Sequence, residues 1–202
     1  MEMNETTSNL VVPLHWKAVV LGNGSRFDWH SQTARSPDDR AQLEIACVYR
    51  WVFRGADGRP EKFYIGQSGK FEHRLPNYRS EKPAAGSTEE RLRHEMSLCE
   101  ERGGRIDLEF LDLSTPLRIN GKPISNYSLG ESYVRVMMEN IAIVTARKDG
   151  VKLINRLGDH TNEVKILNLV KRIVGQKGYP EASRLIKSLL DPDTRNDERK
   201  QQ

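Results

Sequence analysis

The spacing of apolar residues changes along the chain and marks out its elements. Ile45 to Phe53 (IACVYRWVF) is dense in β-branched and aromatic residues, a strand composition. Gly55-Ala56-Asp57-Gly58 is a turn signal, and Lys62-Phe63-Tyr64-Ile65-Gly66 is a second apolar segment, so the two predict an antiparallel hairpin. A hairpin centred between Ala56 and Asp57 sets Tyr49 directly opposite Tyr64, with both rings on one face. Phe71, Leu75 and Tyr78 then recur at helical spacing behind Ser68, a candidate N-cap, while Pro76 is placed to end or kink that helix. Ser87 or Thr88 caps a longer helix that carries Leu92, Met96 and Cys99 on one side and stops at Gly103-Gly104. Ile106 to Leu111 reads as a third strand. After a loop with Pro116, Gly121 and Pro123 comes the strongest helical pattern, residues 129–147, closed by Lys148-Asp149-Gly150. Val151 to Asn155 is a short extended return.

These elements predict an α+β domain over residues 41–158: a small, mostly antiparallel three-stranded sheet flanked by helices. Residues 1–40 read as an N-terminal arm with a strand near 16–21 and then irregular chain; Trp16, Phe27 and Trp29 suggest that it docks rather than dangles. Residues 159–190 read as a C-terminal helical extension, with helical patterns over 162–175 and 180–190, and 191–202 as a disordered tail.

Composition narrows the class. Apolar residues are 37% and charged residues 30% of the 202, the mixture of an ordinary globular chain. The formal net charge of +4 suits a polyanionic partner without demanding one. Cys47 and Cys99 have neither metal-site nor disulfide-framework spacing and read as reduced, structural thiols. The acidic start, Met1-Glu2-Met3-Asn4-Glu5, lacks a signal-peptide pattern, and no apolar run nears the roughly 20 residues that span a bilayer. A cytoplasmic protein without a membrane partner is expected.

Five spaced elements then carry a resemblance. They are Cys47-Val48-Tyr49, Tyr64-Ile65-Gly66, Arg74 eight residues beyond Gly66 with Tyr78 four further on, Glu139-Asn140 in the long helix, and Asn155 after its stop. In order and element type this resembles the GIY-YIG nucleases, over about residues 45–155. Cysteine stands for the first glycine of that pattern, the gap between the tyrosine elements is long, and Pro76 interrupts the arginine helix.

The resemblance implies an endonuclease that hydrolyses DNA phosphodiester bonds with one divalent cation, Mg²⁺ or Mn²⁺. It implies catalytic roles for Tyr49, Tyr64, Arg74, Tyr78 and Glu139, with Glu139 as the metal ligand and Asn155 tying loops together behind the site. One of the two tyrosines is a general base in that family; the sequence leaves open which. The chemistry is coherent without the name. Hydrolysis needs a water, a proton acceptor, and positive charge on the phosphoryl oxygens. Arg74 offers fixed bidentate charge, and Arg74 with a cation pulls a tyrosine pKa down from about 10.

Glu139 has two readings. Glu131, Arg135 and Glu139 form an i, i+4 ladder of alternating charge, as on a solvated face. Yet Val136 and Ile143 flank Glu139 on its own side, which predicts a partly buried carboxylate in need of a cation. His73 is placed to point at phosphate, and Lys165, Lys171, Arg172 and Lys177 to grip the DNA backbone. Trp16 and Trp29 read as core rather than base-stacking residues. The alternatives are a catalytically inactive nucleic-acid-binding module on the same fold, or a ribonuclease. The oligomeric state is open, a homodimer among the options.

Overall fold

The computed structural model describes residues 10–11, 14–27, 29, 37–80, 83–114, 118–119, 122–123 and 128–155. The elements in chain order are β1 (Leu10–Val11), β2 (His15–Ala18), α1 (Pro37–Leu43), β3 (Cys47–Arg54), β4 (Pro60–Ser68), a 3₁₀ turn (Phe71–Arg74) and α2 (Leu75–Arg79). They continue with α3 (Thr88–Glu101), β5 (Arg105–Asp112), β6 (Arg118–Ile119), β7 (Lys122–Pro123) and α4 (Ser132–Lys148). The fold is α+β, and its main sheet has four antiparallel strands in the order β2-β5-β3-β4. The three expected strands are all present. The fourth, β2, comes from the segment assigned to the arm, which pairs Trp16 with Leu111 along β5. A small second sheet, β1-β6-β7, occupies part of the expected loop.

Side-chain alternation gives the sheet two covered faces. From β3, Tyr49, Trp51 and Phe53 point to one side and meet Phe27, Leu43, Phe71, Leu75, Tyr78, Leu92 and Met96. Val48 and Ile65 point to the other and pack with Val134, Met137, Met138 and Ile141 of α4. Trp29 packs edge-on against Trp51, ring centroids 5.8 Å apart. Arg50 binds all four strands together: its guanidinium lies between the rings of Trp16 and Phe63, 4.6 and 4.5 Å from their centroids, and is ion-paired to Glu109 at 2.6 Å. Charge and cation–π attraction thus hold β2 where a four-residue strand has little backbone pairing of its own.

Several local expectations are corrected. The hairpin register is shifted by two: Tyr49 opposes Gly66, and Tyr64 opposes Trp51. The cause is a longer connection over residues 55–59, with Gly58 at φ +79°, and an irregularity between Phe53 and Arg54. A shift of two keeps each side chain on its face, so Tyr49 and Tyr64 remain neighbours, ring centroids 6.4 Å apart. Ser68 caps no helix; it ends β4, its hydroxyl donating to the Lys70 carbonyl at 2.7 Å. Pro76 does not end a helix but stands in the first turn of α2, where its missing N–H costs nothing. Helix α1 was not expected, because Ser36-Pro37-Asp38-Asp39 reads as turn-forming chain; Pro37 is instead its first residue.

Other boundaries agree. Ser87 caps α3 by accepting from the Glu90 N–H at 3.1 Å, and Gly103 and Gly150 take positive φ after α3 and α4. Cys47 and Cys99 are free, burial pushing the Cys47 thiol up to about 12. Among the described residues no helix is long and apolar enough to cross a membrane.

Candidate active site

A cavity of about 460 Å³ is walled by Tyr49 of β3, Tyr64, Gln67 and Ser68 of β4, Gly69, Arg74 of the 3₁₀ turn, Thr88 and Glu89 at the start of α3, and Arg135 and Glu139 of α4. Chain segments up to ninety residues apart in sequence therefore converge on one concavity.

The tyrosines are placed by the sheet. Tyr49 and Tyr64 share a face, and the missing side chain of Gly66 admits the Tyr49 ring: a Cβ there would lie 2.6 Å from Tyr49 Oη. Tyr78, buried on α2, hydrogen-bonds the Tyr49 hydroxyl through its own and lies in edge-on ring contact with Tyr49, centroids 6.5 Å apart. It backs the cavity rather than lining it. Burial, first, raises the pKa of Tyr49 and Tyr64 well above the usual range, joined by repulsion from Tyr78 and Tyr64 at Tyr49 and from Tyr78 and Glu139 at Tyr64; Arg74 opposes this without overcoming it. Arg74 acts in the expected direction on all three tyrosines, and in the chain alone desolvation outweighs it. Tyr78 is also raised by burial, against the lowering influence of Arg74 and of hydrogen bonds from Tyr49 and Tyr64.

Arg74 is half-buried, its guanidinium 5.6 Å from the Tyr78 ring centroid and one terminal nitrogen 3.4 Å from Glu89 Oε1. Its buried Nε has no hydrogen-bond partner among the described residues. That leaves a cation on the cavity wall, its Nε turned into the protein and unsatisfied.

Glu139 is 4% exposed, more buried than its flanking Val136 and Ile143 suggested. Burial lifts its carboxyl to about 7, against the pull of Arg74. No hydrogen bond or salt bridge satisfies it among the described residues. A buried carboxylate in that condition, facing a polar cavity, fits a divalent cation. Among the described residues no group of three or more His, Cys, Asp and Glu side chains comes together, so such an ion would have Glu139 as its protein ligand and water or substrate oxygens for the rest.

The charge ladder over Glu131, Arg135 and Glu139 does not exist. Arg135 donates through Nε to Gln67 Oε1 and through Nη1 to the Leu129 and Gly130 carbonyls. Asn155 lies behind the tyrosines, bonded to β4 rather than to loops: its Oδ1 accepts from the Ile65 N–H at 2.9 Å and its Nδ2 donates to the Ile65 carbonyl at 2.8 Å. His73 is exposed and lies outside the cavity lining. Lys165, Lys171, Arg172 and Lys177, with the two C-terminal helical patterns, lie outside the described residues.

Gln67, Ser68, Gly69, Thr88, Glu89 and Arg135 were not foreseen as cavity residues. For Arg135 a signal was present: a residue one turn before Glu139 faces the same side of the helix, so any argument that turns Glu139 inward turns Arg135 inward too. Comparison with known protein families, characterised proteins and solved structures returns no match.

Proposed function

We propose that this protein is a metal-dependent endonuclease of the GIY-YIG kind that hydrolyses phosphodiester bonds in DNA. The observation that supports the reading is the convergence of Tyr49, Tyr64, Arg74 and Glu139 on one polar cavity, with Tyr78 and Asn155 bracing it. A surface without a reaction to perform has no need to bury an unpaired carboxylate beside an arginine and two tyrosine hydroxyls.

Arg74, a guanidinium on the cavity wall, holds a phosphoryl oxygen and draws off charge as the phosphorus becomes more crowded. Glu139 would hold a divalent cation, Mg²⁺ or Mn²⁺, which would supply Lewis-acid stabilisation of the charge on the phosphate and leaving oxygen. The hydroxyls of Tyr49 and Tyr64 orient the attacking water. Their raised pKa makes proton removal the demanding part of the reaction, and Arg74, which interacts with all three tyrosines, is the chain's own group that eases it. Water then adds to phosphorus, its proton passing to one of the two tyrosines in its deprotonated form, as the bond to the leaving oxygen breaks and that oxygen takes up a proton.

Incubation of purified protein with plasmid, single-stranded DNA and RNA, with Mg²⁺, Mn²⁺ or EDTA, tests the reading. Metal-dependent DNA nicking that Glu139→Gln abolishes, with DNA binding retained, is expected. Full activity in EDTA, or an unimpaired Glu139→Gln variant, refutes the assignment. Cleavage of RNA alone moves the substrate to RNA.

A further inference from the structure

Arg135 is 9% exposed and lines the same cavity as Arg74. Three hydrogen bonds fix its guanidinium: Nε to Gln67 Oε1 at 3.1 Å, and Nη1 to the carbonyls of Leu129 at 2.6 Å and Gly130 at 2.8 Å. All three acceptors are neutral. Nη2, with its two N–H donors, has neither a hydrogen bond nor an ion pair among the described residues. The acids that line the cavity do not neutralise it: Glu89 is paired with Arg74, and Glu139 forms no salt bridge.

Nη2 lies against Gly69, where a Cβ would stand only 3.3 Å away. The glycine keeps that nitrogen uncovered on the cavity side. A guanidinium cannot shed its proton, so a buried one with a free terminal nitrogen is a site for an anion.

We infer that Arg135 is a second phosphate-binding residue, donating from Nη2 to a phosphoryl oxygen of the nucleic-acid strand. Arg74 and Arg135 then grip the backbone from opposite elements, the 3₁₀ turn and α4, and set which phosphate lies over Glu139. Gln67 and the two carbonyls aim the guanidinium before substrate arrives, so little side-chain freedom is lost on binding. That the anion belongs to a nucleic acid rests on the nuclease reading; that Arg135 takes an anion rests on its own geometry.

The test uses the full chain in EDTA, so that nothing is cut, with Arg135→Gln and Gly69→Ala beside the wild type. Gly69→Ala leaves the anchors of Arg135 in place and covers Nη2. Melting curves establish which variants fold. Inorganic phosphate is titrated while arginine side-chain NMR signals are followed, and binding of a DNA oligonucleotide is measured over a range of salt.

For Arg135→Gln we expect DNA binding weakened about ten- to a hundredfold, the worth of one charge-assisted hydrogen bond, and a log–log salt slope reduced by about 0.9. Gly69→Ala should weaken binding in the same direction and lose the phosphate response. A folded variant with the wild-type salt slope and phosphate titration overturns the inference. Should Arg135→Gln unfold, Gly69→Ala decides. Phosphate bound through Arg135 by a protein that ignores DNA keeps the anion site and removes the nuclease reading.

Discussion

The Tyr49 hydroxyl occupies the space that a side chain on Gly66 would need, its oxygen 2.6 Å from where a Cβ would stand. The two residues are direct cross-strand partners, Tyr49 on β3 and Gly66 on β4. Gly66 is therefore required by a neighbour's ring, and the backbone of β4 at this point is ordinary strand.

Gly66→Ala should push the Tyr49 ring off its place and break its hydroxyl contact with Tyr78. Overpacking of this kind costs about 1–3 kcal/mol, and the catalytic loss should be larger than the stability loss. A melting curve beside a cleavage assay checks this. A variant with wild-type nicking would show that the Tyr49 position is irrelevant to the reaction.

Glu139 should make the metal-free protein less stable as pH rises. Its folded-state carboxyl titrates at about 7, above the usual 4.5. Between those values the unfolded chain has released its proton while the folded protein keeps it, so stability falls across that window and the whole penalty is present above it. Two to three pKa steps at about 1.4 kcal/mol each come to roughly 3 kcal/mol. Glu139→Gln should therefore melt several degrees higher than wild type at pH 8 in EDTA and alike near pH 4. Mn²⁺ should stabilise the wild type alone. Identical melting of the two proteins at every pH would contradict this account.

Glu89 restrains Arg74. Their pair is partly exposed, 3.4 Å long and of modest worth, yet it places a negative charge on the cavity wall where the proposed function brings a phosphate. Glu89→Gln should leave stability within about 0.5 kcal/mol and tighten DNA binding severalfold at low salt, with the gain fading as salt rises. Weaker binding by this variant would mean that Glu89 orients Arg74 for phosphate instead of competing with it.

Much of this arrangement is legible in the sequence. The composition of Ile45–Phe53, the turn glycines and the 3.6-residue spacing in α3 and α4 located the elements, because each segment carries its own pattern. The register was not legible: a five-residue connection with an irregularity at Phe53/Arg54 moves the pairing by two, and only the conserved side-chain parity kept Tyr49 beside Tyr64. A strand near 16–21 was legible and β2 is found at His15–Ala18; its place at the sheet edge was not, since that depends on Arg50 reaching Trp16, a long-range contact with no local signature. Glu139 was recognisable by its apolar flanks, but the same charge spacing hid Arg135, since an i, i+4 ladder on a helix surface and two separate inward-facing charges look alike in sequence. The direction of Arg74's pull on the tyrosines was legible, but burial, which a sequence does not quantify, outweighs that one cation.

Asn155 tests whether the brace behind the tyrosines matters to the chemistry. Its amide satisfies both backbone groups of Ile65, the neighbour of Tyr64, and no other residue among those described fills that role. The Ile65 N–H and carbonyl lie in a buried part of β4. Asn155→Ala removes both partners at once and should cost about 2–4 kcal/mol, the penalty of leaving two buried groups unpaired. For a chain of this size that corresponds to a fall in Tm of roughly 4–16 °C. Tyr64 should shift with the loosened strand, so kcat should drop while DNA binding, assigned to the arginines in the proposal, changes little. Asn155→Asp is the sharper variant, because it keeps an acceptor for the Ile65 N–H but sets a buried carboxylate oxygen against the Ile65 carbonyl. At neutral pH it should be at least as damaging as Asn155→Ala in Tm and kcat, and its Tm should recover toward wild type as pH falls and the carboxyl takes up a proton. Equal activity in all three proteins, measured well below their melting temperatures, would show that Asn155 supports the fold and leaves the position of Tyr64 untouched.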